Sequence, residues 1–483
     1  MIFTSFNFFI FFPIVAIAYW LTPPRFRWGI LLVASYFFYI NLKPVYALLL
    51  LGVTLVTYLF TRLMDQTDSE AKKKNLLTTH IVLVLLPLFF FKYFASINEG
   101  LFTLLDKTGM RLPLPEIQLF LPVGISFYTF MAIGYAIDVY NEEMKAEKNP
   151  GLVALFISFF PLILSGPIER AGNMLPQFRQ PASFRYDDIK TGVKLMIWGY
   201  FMKLVVADRL SMFIDPIFQE LTVHSGLTIF SATFFYPFQV YADLGGYTLI
   251  AIGTARLMGL KVMRNFRQPF FAVSMSDFWR RWHISLISWL RDYLYTPLSF
   301  GLRKYGKWGV VAALLLTFLI SGIWHGAAFA FVVWGLLQGT FLSIEAVTKK
   351  SRESFFKKHG FHNKSWFLAL CMLFTYFLFM LSMVFARTES TAETWYVFKQ
   401  IIFGISELKL THTNSNAFIL LTVISLVVIF IKDTIVEYSQ ESKKILKPLA
   451  ANTYAKQFTY ATLIVMTLLL GVFNGEGFIY FQY

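Results

Sequence analysis

Apolar residues run through this chain in long blocks separated by short polar loops. Runs near the ~20 residues that cross a hydrocarbon layer as a helix fall at roughly 6–22, 28–42, 44–61, 76–95, 119–137, 151–165, 190–207, 228–255, 309–324, 326–346, 365–386, 416–432 and 458–474. Several of the middle runs are short or interrupted by Gly and Pro. Irregular backbone at membrane depth survives only when buried in protein or lining a wet cavity, so these predict short, broken helices rather than full crossings. The pattern as a whole predicts an all-α polytopic membrane protein. The first run has no basic residue before it and no small-x-small cleavage site after it, which fits an uncleaved span better than a signal peptide.

Composition agrees. The 483 residues are 57% hydrophobic and 15% charged, with 55 Phe, against about 25% charged in a soluble domain. A membrane bundle grows by adding helices, so one multi-pass domain over 1–483 is expected. Lysine and arginine concentrate at Arg25–Arg27, Arg62–Lys74, Lys349–Lys364 and Lys432–Lys456, whereas 96–118 and 387–415 are leaner. With basic loops on the cytoplasmic side, both termini are expected outside. Much of the net charge of +15 then reports topology and contact with anionic lipid. The single cysteine, Cys371 in FLALCMLFTY, has no partner for an internal disulfide and reads as packing.

Several chemistries find no text. There is no Walker loop, G-x-G-x-x-G, H-E-x-x-H or G-x-S-x-G pattern. His359 and His362 lack a neighbouring carboxylate or cysteine, so no metal site is expected there. His80, His224 and His412 stand alone near run ends and read as interfacial side chains. No bound cofactor, metal or nucleic acid is expected.

Ionisable residues in or beside apolar segments are a different matter. They include Asp138, Glu169, Arg170, Lys203, Asp208, Arg209, Asp243 and Arg256. A central charge costs at least ~2.5–3.5 kcal/mol on insertion scales, so such groups pair or line a pathway. Two places stand out. In LLLTFLISGIWHGAAFAFVVWGLLQG (314–339), His325 interrupts an apolar run between Gly322, Gly326 and two alanines. Small residues allow close approach, the glycines suit the end of one helix and the start of the next, and a neutral imidazole is suited to moving a proton. A hydrogen bond to a neighbouring helix is the structural alternative. The second place is SDFWRRWHISLISWLRDYLYTP (276–297). On one continuous helix, Phe278, Trp282, Ser285, Trp289 and Tyr293 share a face, with His283 on the next stripe and Arg280 and Arg281 beyond it. That predicts an amphipathic helix lying at the interface, its arginines on lipid or ligand phosphates.

These residues also carry a resemblance. PVGISFYTF…AIDVY (122–140), LSGPIER (164–170), FQVYADLGGYTLIAIG (238–253), NFRQPFFAVSMSDFWRRWHISLISWLRDYLYTPL (265–298), SGIWHG (321–326) and FIYFQY (478–483) resemble the membrane-bound O-acyltransferases, most closely their bacterial branch of alginate O-acetyltransferase-like membrane subunits. The likeness is densest from 120 to 340. It departs at DLGGYTL (243–249), where the family usually has D-F-S-G-Y-S-D, and at PLSFG (297–301) in place of P-L-G-G. Those departures leave open the contacts of Asp243 and the loop after Pro297.

The resemblance implies a ring of transmembrane helices around a funnel or tunnel, with catalytic roles for His325 and His283. Candidates for donor or substrate contact are Arg280, Arg281, Asp277, Trp282, Asp243, Asn265 and Trp324. The implied activity passes an acyl group, acetyl from cytoplasmic acetyl-CoA, across a bacterial inner membrane to a cell-surface or secreted polysaccharide or peptidoglycan, helped by an extracytoplasmic acyltransferase partner. D-alanyl transfer to teichoic acid from a carrier protein, and transport of an intact small molecule, are the alternatives.

Overall fold

Every regular element among the described residues is helical, as expected where lipid offers no partner to a free backbone N–H or C=O. The computed structural model describes residues 1–107, 122–181, 183–361, 364–404, 416–438 and 453–473. Of the features above, His362, His412, FIYFQY and parts of the loops 96–118 and 387–415 lie outside them. Six helices among the described residues are long and apolar enough to cross a membrane: Pro44–Asp65, Glu70–Phe94, Arg303–His325, Phe329–Lys358, Ser365–Arg387 and Phe418–Glu437. The protein is a multi-pass, all-α membrane protein.

The chain divides into two compact units, Met1–Met196 with Ile250–Met263, and Ile197–Leu249 with the described residues from Arg264 onward. The first holds α1 (Phe6–Leu21), α2 (Arg27–Ile40), α3 (Pro44–Asp65), α4 (Glu70–Lys107), α5 (Ile125–Tyr140), α6 (Pro150–Ser158), α7 (Phe160–Ile163), α8 (Ala171–Arg179) and most of α9 (Tyr186–Tyr200). The run 151–165 does not cross as one helix. It breaks at Phe159, ahead of Pro161, and the Ser35 hydroxyl accepts the buried Phe160 N–H at 3.1 Å. Gly124 holds a left-handed φ of 80°, and a side chain there would strike the Ile163 carbonyl. The Glu169 carboxylate accepts the N–H groups of Arg170 (3.2 Å) and Met263 and the Asn173 amide (3.0 Å). Gln177 closes on both backbone groups of Lys261. Together they fix the segment that follows α11.

One expectation fails in this unit. His80 is fully buried, not interfacial: it faces α3, with Nε2 3.1 Å from the Thr57 hydroxyl. That hydroxyl donates to the Val53 carbonyl at 2.7 Å, so the imidazole is the donor between them. A single apolar strip shows only that a residue is on a helix, not which neighbour it meets.

The second unit holds α10 (Asp208–Gln219), most of α11 (Gly226–Leu257), α12 (Met275–Trp279), α13 (Ile284–Leu290), α14 (Thr296–Gly301), α15 (Gly306–His325), α16 (Phe329–Lys358), α17 (Ser365–Arg387), α18 (Thr391–Phe403), α19 (Asn416–Glu437) and α20 (Thr453–Leu470). α15 and α16 form a hairpin packed backbone to backbone. A Cβ on Gly322 would meet the Phe331 carbonyl, and one on Gly339 would sit 3.0 Å from the Leu315 Cα. The run 190–207 loses its α geometry in a π-turn, Phe201–Ala207, whose Leu204 carbonyl accepts the Val472 N–H at 3.0 Å.

Candidate active site

α12 is only five residues long, yet its first N–H groups are all provided for. The Ser274 hydroxyl accepts the Asp277 N–H at 3.1 Å, and the Glu345 carboxylate of α16 accepts those of Met275 (2.8 Å) and Ser276 (2.9 Å). Such caps satisfy donors that a helix start leaves orphaned. At the other end of α12 the Trp279 indole donates to Gln338 Oε1 at 3.2 Å, and the Gln338 amide donates to Ser382 of α17 at 2.7 Å. The buried Gln338 thus ties three helices.

Here the structure departs from the continuous amphipathic helix. The chain breaks between α12 and α13, and His283 takes a left-handed conformation, φ 46° and ψ 49°. That conformation is unfavourable for a residue with a Cβ, so something must hold it. Asn265 does so. Its backbone carbonyl accepts the Ile284 N–H (2.8 Å), and its Oδ1 accepts both the N–H (3.1 Å) and the hydroxyl (2.9 Å) of Ser285. The Arg267 N–H also donates to the Arg281 carbonyl at 2.9 Å. Nor do the indoles mark a water boundary: Trp279, Trp282 and Trp289 are buried, Trp282 lying edge-on to Phe266 and stacked on Phe278.

The break turns His283 inward. The residue is 1% exposed and lies outside the six apolar helices, and burial pushes the imidazole down to about 4. It is therefore neutral near pH 7. His325 is the last residue of α15, its helix closed by the Gly326 N–H on the Gly322 carbonyl at 3.3 Å. Gly326 stands at the expected junction between two helices, whereas Gly322 lies within α15 and packs against α16. The His325 ring lies 4.9 Å from Trp334, edge-on at 78°, and 4.5 Å from Trp324.

His283 and His325 line one cavity of about 60 Å³, walled by Trp279, Trp282, Trp334 and Phe379. A water needs about 10–15 Å³ of such space, so the cavity holds a handful of non-hydrogen atoms.

The other candidates divide. Trp282 lines the cavity; Trp324 meets His325 edge-on at 63°; Asn265 sits behind His283 as its support. Arg281 is committed to Asp277 (3.0 Å) and Glu437 (2.8 Å), whereas the Arg280 side chain is 70% exposed and touches Asp277 only at 3.6 Å. Asp243 enters a buried triad in which Lys203 Nζ lies 2.6 Å from Asp243 and 2.7 Å from Asp208. Gly246 lets α11 approach this segment, since a Cβ there would sit 2.8 Å from the Gly199 carbonyl and 2.9 Å from the Lys203 backbone nitrogen. Sequence reasoning missed Gln338 and Glu345, although both are polar breaks in the apolar stripe of α16. It also missed the buried pair of Tyr241 and Asp433, 2.8 Å apart.

Comparison with known proteins follows the same residues. The sequence model of the membrane-bound O-acyltransferase family matches 148–386. A probable alginate O-acetylase of Pseudomonas putida is 37% identical over 349 residues, covering 71% of this chain and 70% of that protein. A peptidoglycan O-acetyltransferase of Helicobacter pylori is 32% identical over 413 residues, covering 80% and 76%. A teichoic acid D-alanyltransferase of Bacillus subtilis is more distant, 28% identical over 229 residues and covering 46% and 58%.

Proposed function

Because the chain belongs to the membrane-bound O-acyltransferase family, we propose that it takes acetyl from cytoplasmic acetyl-CoA and relays it across a bacterial inner membrane for O-acetylation of a cell-surface or secreted polysaccharide or peptidoglycan. The observation that carries this reading is the pair of imidazoles, buried His283 and half-buried His325, on one cavity. An extracytoplasmic acyltransferase completes the transfer, and both termini face that side.

A thioester is already activated, so the protein must align it, exclude water and move one proton. His325 takes the proton of the acceptor hydroxyl as its oxygen bonds to the thioester carbonyl carbon. The C–S bond then breaks, the thiolate receives that proton, and the products are an ester and free CoA. General-base help of this kind is worth ~10²–10⁴. His283, neutral and held by Asn265, orients the donor or assists the departing thiol. Arg280 has the freedom to meet donor phosphates; Arg281, paired twice, holds α12 instead.

The higher identity and coverage of the O-acetylating relatives favour acetyl over D-alanyl. Vesicles given acetyl-CoA labelled in both acetyl and CoA test the reading. Labelled ester outside, with CoA retained on the donor side, is the expected result. Intact donor crossing the membrane would establish transport instead.

A further inference from the structure

Trp334 is 5% exposed and borders the cavity, yet its Nε1–H has no hydrogen-bond partner among the described protein groups. The contrast with Trp279 on the same cavity is direct, since that indole donates to Gln338. Burying an N–H without a partner costs roughly 1–3 kcal/mol, so each case calls for an explanation. The ring is well located for a role in chemistry. It meets His325 edge-on at 4.9 Å and Trp279 at 6.0 Å, and its helix is drawn against α15 by the glycine contacts of Gly322 and Gly335.

We propose that the Trp334 indole N–H is a catalytic hydrogen-bond donor to the carbonyl oxygen of the acyl group, a role that rests on the acyl-transfer reading above. When the acceptor oxygen adds to the carbonyl carbon, the C=O π pair moves onto that oxygen and the hydroxyl proton moves to His325. The indole N–H stabilises the new negative charge. Collapse restores the carbonyl, breaks the C–S bond and returns the proton from His325 to the thiolate. A donor fixed in a dry site before reaction is worth far more than one in water, and loss of one such donor typically lowers kcat by about 10²–10³.

Trp334→Phe keeps a ring and removes only the N–H and part of the indole. Full-length protein in membranes should then show a kcat for acetyl transfer lower by about two orders of magnitude, with KM for acetyl-CoA nearly unchanged. Its thermal stability should hold, because no protein bond is lost. A kcat close to wild type would overturn the proposal and leave the N–H to solvent. A fall in KM-dependent binding with kcat preserved would overturn it too, as a packing role. Infrared spectra of acetyl-CoA carrying ¹³C at the carbonyl give a readout independent of turnover. The bound carbonyl stretch should lie lower on wild type than on the variant, and equal frequencies would count against the bond even if the variant folds poorly. Normal transfer by His325→Ala in the same membranes would instead remove the acyl-transfer mechanism itself.

Discussion

His80 and His325 occur in similar text, each an imidazole amid long apolar runs, but their surroundings differ. His80 is sealed between α3 and α4 and spends its ring nitrogen on Thr57. His325 terminates α15, has two indoles against its ring, and opens on a cavity shared with His283. His80 is fully buried, whereas His325 is half-buried and borders open space. The comparison teaches that an imidazole in an apolar helix becomes a candidate for proton transfer through what the backbone does beside it. At His325 the helix ends, at His283 the chain turns left-handed, and both changes make room. Around His80 the helices simply continue.

The largest effect expected of a closed polar site comes from Lys203→Met. Removing one member of a buried ion network costs about 3–5 kcal/mol because uncompensated charge remains, and here Asp208 and Asp243 are left together. Unfolding of the purified protein in detergent should show the loss. If transfer vanished with stability intact, the triad would belong to the chemistry and the division between closed and open sites would break. Asn265→Ala is next. It removes the acceptor for two Ser285 donors, roughly 1–3 kcal/mol, and leaves the left-handed turn at His283 held only by the backbone bond from Ile284, so transfer should fall more than stability. Equal losses of both would reduce Asn265 to a cap.

The effect that is smallest near neutral pH, and grows only on acidification, is a dependence on acidity. His283 is held down to about 4 by burial, against ~6.5 for a free imidazole. A depressed folded value contributes stability in full above ~6.5 and loses it as pH falls toward 4. Melting temperature should therefore decline through that window, and His283→Gln should flatten the decline. An unchanged decline in the variant would assign it to other groups.

Much of this was legible in the text. Apolar run lengths predicted the helical membrane fold, and Gly326 beside His325 predicted the junction of α15 and α16. The motif-rich segment 265–298 held the second histidine. The break at His283 was not legible, because the stripes of 276–297 fit a continuous helix; the turn is imposed by Asn265, which arrives from a separate stretch of chain. Arg281 looked like a phosphate ligand for a related reason, since its partner Glu437 lies far along the sequence. Polar residues in apolar stripes announce that a partner exists without naming it, as Gln338 and His80 both illustrate.

The most direct measurement compares acetyl transfer by membranes carrying His325→Ala with that by membranes carrying His80→Gln, at matched protein level. The cavity-facing imidazole should prove necessary, with transfer falling by ~10²–10⁴, while the sealed one should leave transfer near wild type. Near-normal transfer by His325→Ala would contradict the account.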